Sequence, residues 1–189
     1  MTMLATRSFG SNQGPILWIL HGILGSKQNW TRFGRLLAES CPHYQIITID
    51  LRCHGDSSYG FTGPHNLDAC AHDLFELAQE TGFPEVVLGH SFGGKVALCY
   101  ATHPQLTPLL SPHAVWTLDS PLDAQPQPGQ SDVVQVIEFC THVSMPIASR
   151  GDLIQLFLDQ GFSEGMGQWM TTNLKRIQRE GDSGFEWKF

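Results

Sequence analysis

The sequence predicts an α/β fold: a mostly parallel sheet with helices on both faces, followed by a helical cap. Three observations point there. Short apolar runs alternate with helical patterns at intervals that suit right-handed βαβ crossovers. The runs are apolar throughout rather than alternating, as in strands covered on both faces. After Pro121 the strand-like runs stop and the patterning turns helical. The expected division is a core over residues 1–120 and a linker with a cap over 121–189.

Leu4 to Phe9 reads as a short edge strand. Ile16-Leu17-Trp18-Ile19-Leu20 is a buried strand that runs into His21-Gly22-Ile23-Leu24-Gly25-Ser26. From Asn29 to Ser40, Trp30, Phe33, Leu36 and Leu37 recur on one helical face. Tyr44 to Ile49 is a second buried strand, ending at Asp50, and Leu51 to Ser58 is a loop. Leu67 to Thr81 is amphipathic, with Leu67, Cys70, Leu74 and Leu77 inward and Asp68, Asp73 and Glu76 outward; Gly82 and Pro84 close it. Ala114 to Leu118 is a further strand, ending at Asp119-Ser120-Pro121. Asp123 to Asp132, rich in Pro and Gln, reads as a linker. Helical patterns then cover Val133–His142, Asp152–Gln160 and Ser163–Ile177, with no strand among them. Val134, Ile137, Phe139, Leu153, Leu156, Phe157, Met166, Trp169, Met170 and Leu174 give these helices apolar faces, which spacing alone explains as packing. The functional reading is that some of these residues, Trp169 among them, line a substrate pocket.

The centre of the pattern is Val86-Val87-Leu88-Gly89-His90-Ser91-Phe92-Gly93-Gly94-Lys95. An apolar strand meets Gly-x-Ser-x-Gly, and a small-residue helix follows, stopped by His103-Pro104. Gly-x-Ser-x-Gly alone arises by chance in roughly one chain in eight of this composition, so its placement carries the weight. Strand, sharp turn and helix form the context of a nucleophile elbow, which lifts a serine hydroxyl off the end of a sheet. The helix N-terminus then turns the Phe92 N–H and the helix dipole towards negative charge formed at Ser91. In open α/β sheets ligands gather at the carboxyl ends of strands. His21, Asp50, Ser91 and Asp119 all stand there.

Composition excludes several classes. A formal charge of −7 and a pI near 5.6 carry no nucleic-acid footprint. No run of about eighteen apolar residues exists, so no membrane span is expected. Residues 1–8 lack the apolar stretch of a secretory leader. The five scattered cysteines read as free thiols in a reducing, cytoplasmic compartment. Neither an HExxH pair nor a Cys/His zinc spacing occurs, so neither metal nor cofactor is expected.

Three ordered motifs, His21-Gly22-x-x-Gly25-Ser26, Asp50-Leu51-Arg52-x-His54-Gly55-x-Ser57 and Gly89-His90-Ser91-Phe92-Gly93-Gly94, resemble the α/β-hydrolase fold. Gly93-Gly94-Lys95 and Leu118-Asp119-Ser120-Pro121 are most similar to its small esterase branch, the YbfF- and ABHD11-type hydrolases. Gly161-Phe162-Ser163, Gln168-Trp169-Met170-Thr171-Thr172-Asn173-Leu174 and Gly184-Phe185-x-Trp187 resemble the cap of a plant and cyanobacterial subgroup. The resemblance implies a serine hydrolase for small ester or acyl substrates, with Ser91 as nucleophile and the N–H groups of Ile23 and Phe92 as oxyanion hole. The side chains of Ile23 and Phe92, with His21, Gly22 and His90, line the acyl site in this reading. His21, His54 and His90 also have a structural role, bracing the loops around the elbow, as do Asp50 and Arg52. Cys53 stands where the family often has Gly or Asn, and reads as an inert, half-buried thiol.

The family's catalytic histidine follows the last strand of its sheet. The resemblance puts that strand, its partner and the histidine outside these 189 residues. Within them, Ser91, Asp119 and His142 follow the hydrolase order of serine, acid and histidine. Asp119 also reads as a structural residue that fixes the turn at Ser120-Pro121. Serine at the elbow argues against epoxide hydrolases and haloalkane dehalogenases, whereas thioesterases, C–C bond hydrolases and non-metal haloperoxidases share the framework. The rival reading is a catalytically silent fragment or binding module. It would leave Ala114–Leu118 as a bare sheet edge that favours self-association.

Overall fold

The computed structural model describes residues 4–121, 132–179 and 182–188. The chain divides into two compact units, Met1–Pro121 and Leu122–Lys188.

The first unit holds a five-stranded sheet in the order β1-β3-β2-β4-β5, from β1 (Thr6–Gly10), β2 (Ile16–Leu20), β3 (Gln45–Ile49), β4 (Val86–His90) and β5 (Ala114–Leu118). β1 runs antiparallel to β3, and the other pairs are parallel. Three helices complete the unit: α1 (Thr31–Ser40), α2 (Leu67–Thr81) and α3 (Phe92–Ala101). The strand pleat divides the apolar runs between two faces. Ile16, Trp18, Leu20, Ile47, Ile49 and Val87 pack with Cys70, Ala71, Leu74 and Leu77 of α2 and Val96, Ala97 and Tyr100 of α3. Ile19, Ile46 and Leu88 form the opposite core with Ala38 of α1. Helices on both faces of a mostly parallel sheet are what the unbroken apolar runs require.

Two expectations about these helices need correction. The helix after β2 begins with a 3₁₀ turn over Lys27–Trp30, and its docking face differs from the one expected. Gly34 and Ala38 are buried, while Phe33 and Leu36 are 41% and 50% exposed. A Cβ on Gly34 would lie 3.0 Å from the Phe9 ring, so the helix approaches β1 through its smallest residues. On α2, Asp73 is buried rather than outward, because it meets Arg52.

The second unit contains α4 (Asp132–His142), α5 (Arg150–Asp159) and α6 (Glu164–Met170). α5 starts at a reciprocal cap between Ser149 and Asp152, and Gly161, at φ +85, follows its end. Val136, Cys140, Leu153, Phe157 and Met170 are buried, and the Phe139, Phe157 and Phe162 rings meet at 4.9–5.6 Å. Val134, Ile137 and Leu156, expected inward, are 37–39% exposed. The linker expected at 123–132 falls outside the described residues apart from the Asp132 backbone.

The expected helix over Ser163–Ile177 stops at Met170. Leu174–Arg179 (β6) instead pairs antiparallel with Asp182–Trp187 (β7), so the second unit is not wholly helical. Lys175 faces Glu186 across this hairpin, and Gly184 lets β7 pass so close to Ile147 that a Cβ would sit 2.6 Å from its carbonyl oxygen. These partners lie far along the chain, beyond the window in which helical spacing is read.

Candidate active site

The carboxyl ends of β2, β3, β4 and β5 share an unusual backbone property. Leu24, Cys53, Ser91 and Asp119 have φ of 58°, 61°, 51° and 45°, and they are the non-glycine residues with positive φ among those described. Each follows one of the four parallel strands within four residues. Such conformations persist only where the surroundings over-determine them, and they cluster at functional sites.

Ser91 is the turn between β4 and α3, at φ 51° and ψ −116°. Its N–H donates to the Leu118 carbonyl at 2.9 Å, and its own carbonyl accepts from Gly94 N–H at 3.0 Å and Ser120 Oγ at 2.7 Å. Glycines give the turn its room. A Cβ on Gly89 would lie 2.2 Å from the Gly93 carbonyl oxygen, and one on Gly93 would lie 2.4 Å from that of His21. One on Gly22 would lie 3.3 Å from Ser91 Cβ and 3.0 Å from His90 Nδ1, so the loop after β2 rests against the elbow.

That loop is almost fully hydrogen-bonded. Leu24 N–H donates to His54 Nε2 at 3.2 Å, Gly25 N–H to the Gly22 carbonyl at 3.0 Å, Ser26 N–H to Asn29 Oδ1 at 2.6 Å and Lys27 N–H to Asp50 Oδ1 at 2.5 Å. The Ile23 N–H stands apart from this set. Phe92 opens α3, so its N–H belongs to the first turn, which has no partner within the helix. The Phe92 N–H thus lies directly after Ser91, and the Ile23 N–H lies in the loop whose Gly22 rests against the elbow.

His21 and His54 are committed to the backbone. His21 Nδ1 donates to the Gly22 carbonyl at 2.7 Å, and Nε2 accepts from Leu51 N–H at 3.0 Å. His54 Nδ1 donates to the Arg52 carbonyl at 2.8 Å, and Nε2 accepts from Leu24. Both rings are buried, 5.0 Å apart. Burial, then the neighbouring His54, lowers the His21 pKa to about 4, and burial lowers that of His54. Both are neutral pins joining the loops after β2 and β3. His90 is half-buried, its ring 5.9 Å from Trp30.

Two buried ion pairs lie beneath these loops. Arg52 Nε and Nη2 bind Asp73 Oδ2 and Oδ1 at 2.6 and 2.7 Å, Nη1 donates to the Pro64 carbonyl, and the guanidinium stands 5.2 Å from the Phe61 ring centroid. Lys27 Nζ lies 2.5 Å from both Asp50 Oδ2 and Asp56 Oδ2. Ser57 Oγ donates to the Asp50 carbonyl and accepts the Ala5 N–H, tying the β3 loop to the residue just before β1. Lys27, Asp73 and Ser120 were not singled out from the sequence; each is an ordinary polar residue whose partner is remote in the chain.

Asp119 is exposed and lies directly after β5, one residue beyond the Leu118–His90 pair of the sheet. His142 ends α4 in the second unit, where its Nδ1 donates to the Glu138 carbonyl at 2.8 Å. Trp169 is half-buried on α6 of the same unit. Cys53 Sγ lies 3.4 Å from His65 Nδ1, and burial raises its pKa, which disfavours the thiolate. Among the described residues no group of three or more His, Cys, Asp or Glu is placed to hold a metal ion, and no helix is long and apolar enough to cross a membrane.

Residues 15–122 match the model of a family described as alpha/beta hydrolase fold. The chain is 33% identical over 150 residues to a probable alcohol acetyltransferase of Wickerhamomyces anomalus, a match covering 78% of this chain and 41% of the relative. It is 30% identical over 188 residues to the sn-1-specific diacylglycerol lipase ABHD11 of Xenopus laevis, covering 95% of this chain and 55% of the relative. A solved marine microorganism esterase superposes with a TM-score of 0.77 at 23% identity, covering all of this chain and 69% of the esterase, a likeness of fold. The chain spans about half the length of the curated relatives it matches.

Proposed function

The chain belongs to the α/β-hydrolase fold family, and on that premise we propose that it is a serine hydrolase acting on small-molecule esters through an acyl-enzyme on Ser91. The supporting observation is the strained Ser91 at φ 51°, directly before α3 and against the Gly22 loop, and the N–H groups of Ile23 and Phe92 are assigned as its oxyanion donors. Ser91 Oγ attacks the ester carbonyl while a histidine takes its proton, and the carbonyl oxygen becomes an oxyanion held by those N–H groups. Collapse expels the alcohol, which leaves with the proton. Water then attacks the acyl-enzyme by the same route and frees the acid and Ser91. Each oxyanion donor is worth about 3 kcal/mol to such a transition state. Asp119, directly after β5, is proposed as the acid. Gly22 and His90 are assigned to the acyl site, and His21 acts there by holding the loop. The names of the two curated relatives, a lipase and an acetyltransferase, both describe chemistry at an ester. Five unpaired cysteines support a cytoplasmic setting.

The purified chain is treated with a fluorophosphonate probe and assayed with p-nitrophenyl acetate beside Ser91→Ala. Labelling and turnover that vanish in the variant support the enzyme. A folded chain with neither signal supports a second reading, a silent binding module. The commitment of His21 and His54 to backbone partners favours that alternative, since neither is then available as a base. An acyl-thioester assayed in parallel tests the thioesterase variant of the first reading.

A further inference from the structure

We propose that Lys27 is the positioning residue of the oxyanion-hole loop, an inference that rests on the reading of Ile23 as an oxyanion donor. Its ammonium is buried, 5% exposed as a residue, and bridges the buried Asp50 and the exposed side chain of Asp56 at 2.5 Å each. The same residue's N–H donates to the other Asp50 oxygen, Oδ1, at 2.5 Å. Lys27 therefore grips Asp50 from both its main chain and its side chain. Asp56 N–H adds a third donor to the carboxylate at 2.9 Å, and the chain turns so tightly around it that a Cβ on Gly55 would lie 2.5 Å from Oδ2.

A buried ion pair is seldom explained by stability, since apolar residues of the same volume often serve as well. This one joins the ends of two loops. Its main-chain bond fixes the last residue of the Gly22–Lys27 segment, just past the left-handed Leu24. Along that segment Leu24, Gly25, Ser26 and Lys27 have their N–H groups engaged, which sets the Ile23 N–H apart from them. Without the ammonium, Asp50 is a buried carboxylate with backbone donors alone. The side chain at position 50, charged or neutral, then loses its bridge to Asp56, Oδ1 shifts, and the turn that carries Ile23 loses its fixed end.

The test compares the full chain with Lys27→Met, Lys27→Arg and the double variant Lys27→Met/Asp50→Asn, which leaves Asp50 without an uncompensated charge. Amide hydrogen exchange over residues 22–27 reads the loop independently of chemistry. p-Nitrophenyl acetate kinetics read kcat against KM. The expected result is exchange at least about tenfold faster over 22–27 in both Met variants, with the β2 and β4 amides unchanged. We expect kcat to fall about 10- to 100-fold with KM within about twofold, and Lys27→Arg to recover most of both. If Lys27→Met does not fold, the double variant is read instead. Exchange over 22–27 unchanged in the folded Met variant overturns the proposal, as does a loss confined to KM. A parent chain no more active than Ser91→Ala refutes the proposed function, and the exchange measurement alone then decides the role of Lys27.

Discussion

Ser120 Oγ donates to the main-chain carbonyl of Ser91 at 2.7 Å, so the residue second after β5 clamps the turn at the end of β4. Ser91 N–H returns a bond to Leu118, and the elbow is thereby stitched to its neighbouring strand at two points. Ser120→Ala is expected to cost about 1 kcal/mol of stability in urea titrations. It should also slow fluorophosphonate labelling of Ser91 without changing the far-ultraviolet circular dichroism.

The glycines around the elbow are not equivalent. A Cβ at Gly93 meets the backbone oxygens of His21 and Leu20 at 2.4 and 2.7 Å, groups that cannot move without displacing β2. A Cβ at Gly22 meets only side-chain atoms of His90 and Ser91, at 3.0 and 3.3 Å. Gly93→Ala is therefore expected to lose about 3 kcal/mol or more and to express poorly. Gly22→Ala should fold, with a loss near 1 kcal/mol read by thermal melting, and show its damage in Ser91 labelling.

Arg52 and Asp73 form a two-bond ion pair with both side chains about nine-tenths buried. Breaking it from one side, as in Asp73→Leu, leaves the guanidinium uncompensated and is expected to cost about 3–5 kcal/mol. Arg52→Met combined with Asp73→Leu should recover most of that loss. A double-mutant cycle in urea checks it, and losses that simply add would refute the coupling.

The neutral histidines set a pH dependence. The His21 pKa is about 4 in the folded chain, lowered by burial and by His54, against about 6.5 unfolded. Between these values the unfolded chain holds more protons, so stability is full above about pH 6.5 and falls as pH drops towards 4. The lowered pKa of His54 acts in the same direction. His21 alone accounts for a change on the order of 3 kcal/mol across that window. Urea midpoints at pH 7.5 and 5.0 should differ accordingly, and His21→Gln should flatten the difference.

β5 pairs with β4 on one side and stands at the edge of the described sheet, with Trp116 60% exposed and Leu118 37%. Edges of this kind invite strand pairing between copies. Light scattering is expected to show mass rising with concentration, and Trp116→Lys to suppress the rise.

Much of this architecture was legible in the chain because it rests on local patterns. Ile16–Leu20 and Val86–Leu88 announce buried strands by unbroken apolarity, and both form where expected. The elbow at Ser91 is visible because glycine spacing encodes a steric demand within five residues. What was not legible depends on partners distant in sequence. Asp73 looks like a solvated helix residue until Arg52 arrives from another loop. α1 docks through Gly34 and Ala38, where close approach outweighs side-chain size. Leu174–Arg179 becomes a strand only because Asp182–Trp187 folds back on it.

The four left-handed residues have an implication for how this protein would respond to selection for heat tolerance. Leu24, Cys53 and Asp119 each hold a backbone shape that glycine or asparagine adopts more readily. Glycine at Cys53, or asparagine at Asp119, relaxes a penalty on the order of 1 kcal/mol, whereas glycine at Leu24 would also remove a buried side chain. Laboratory evolution towards a higher melting temperature would thus be drawn to the same rim where rigidity aims the Ser91 turn. Thermal gains there would come with slower chemistry, whereas gains in the cores beneath the sheet would not.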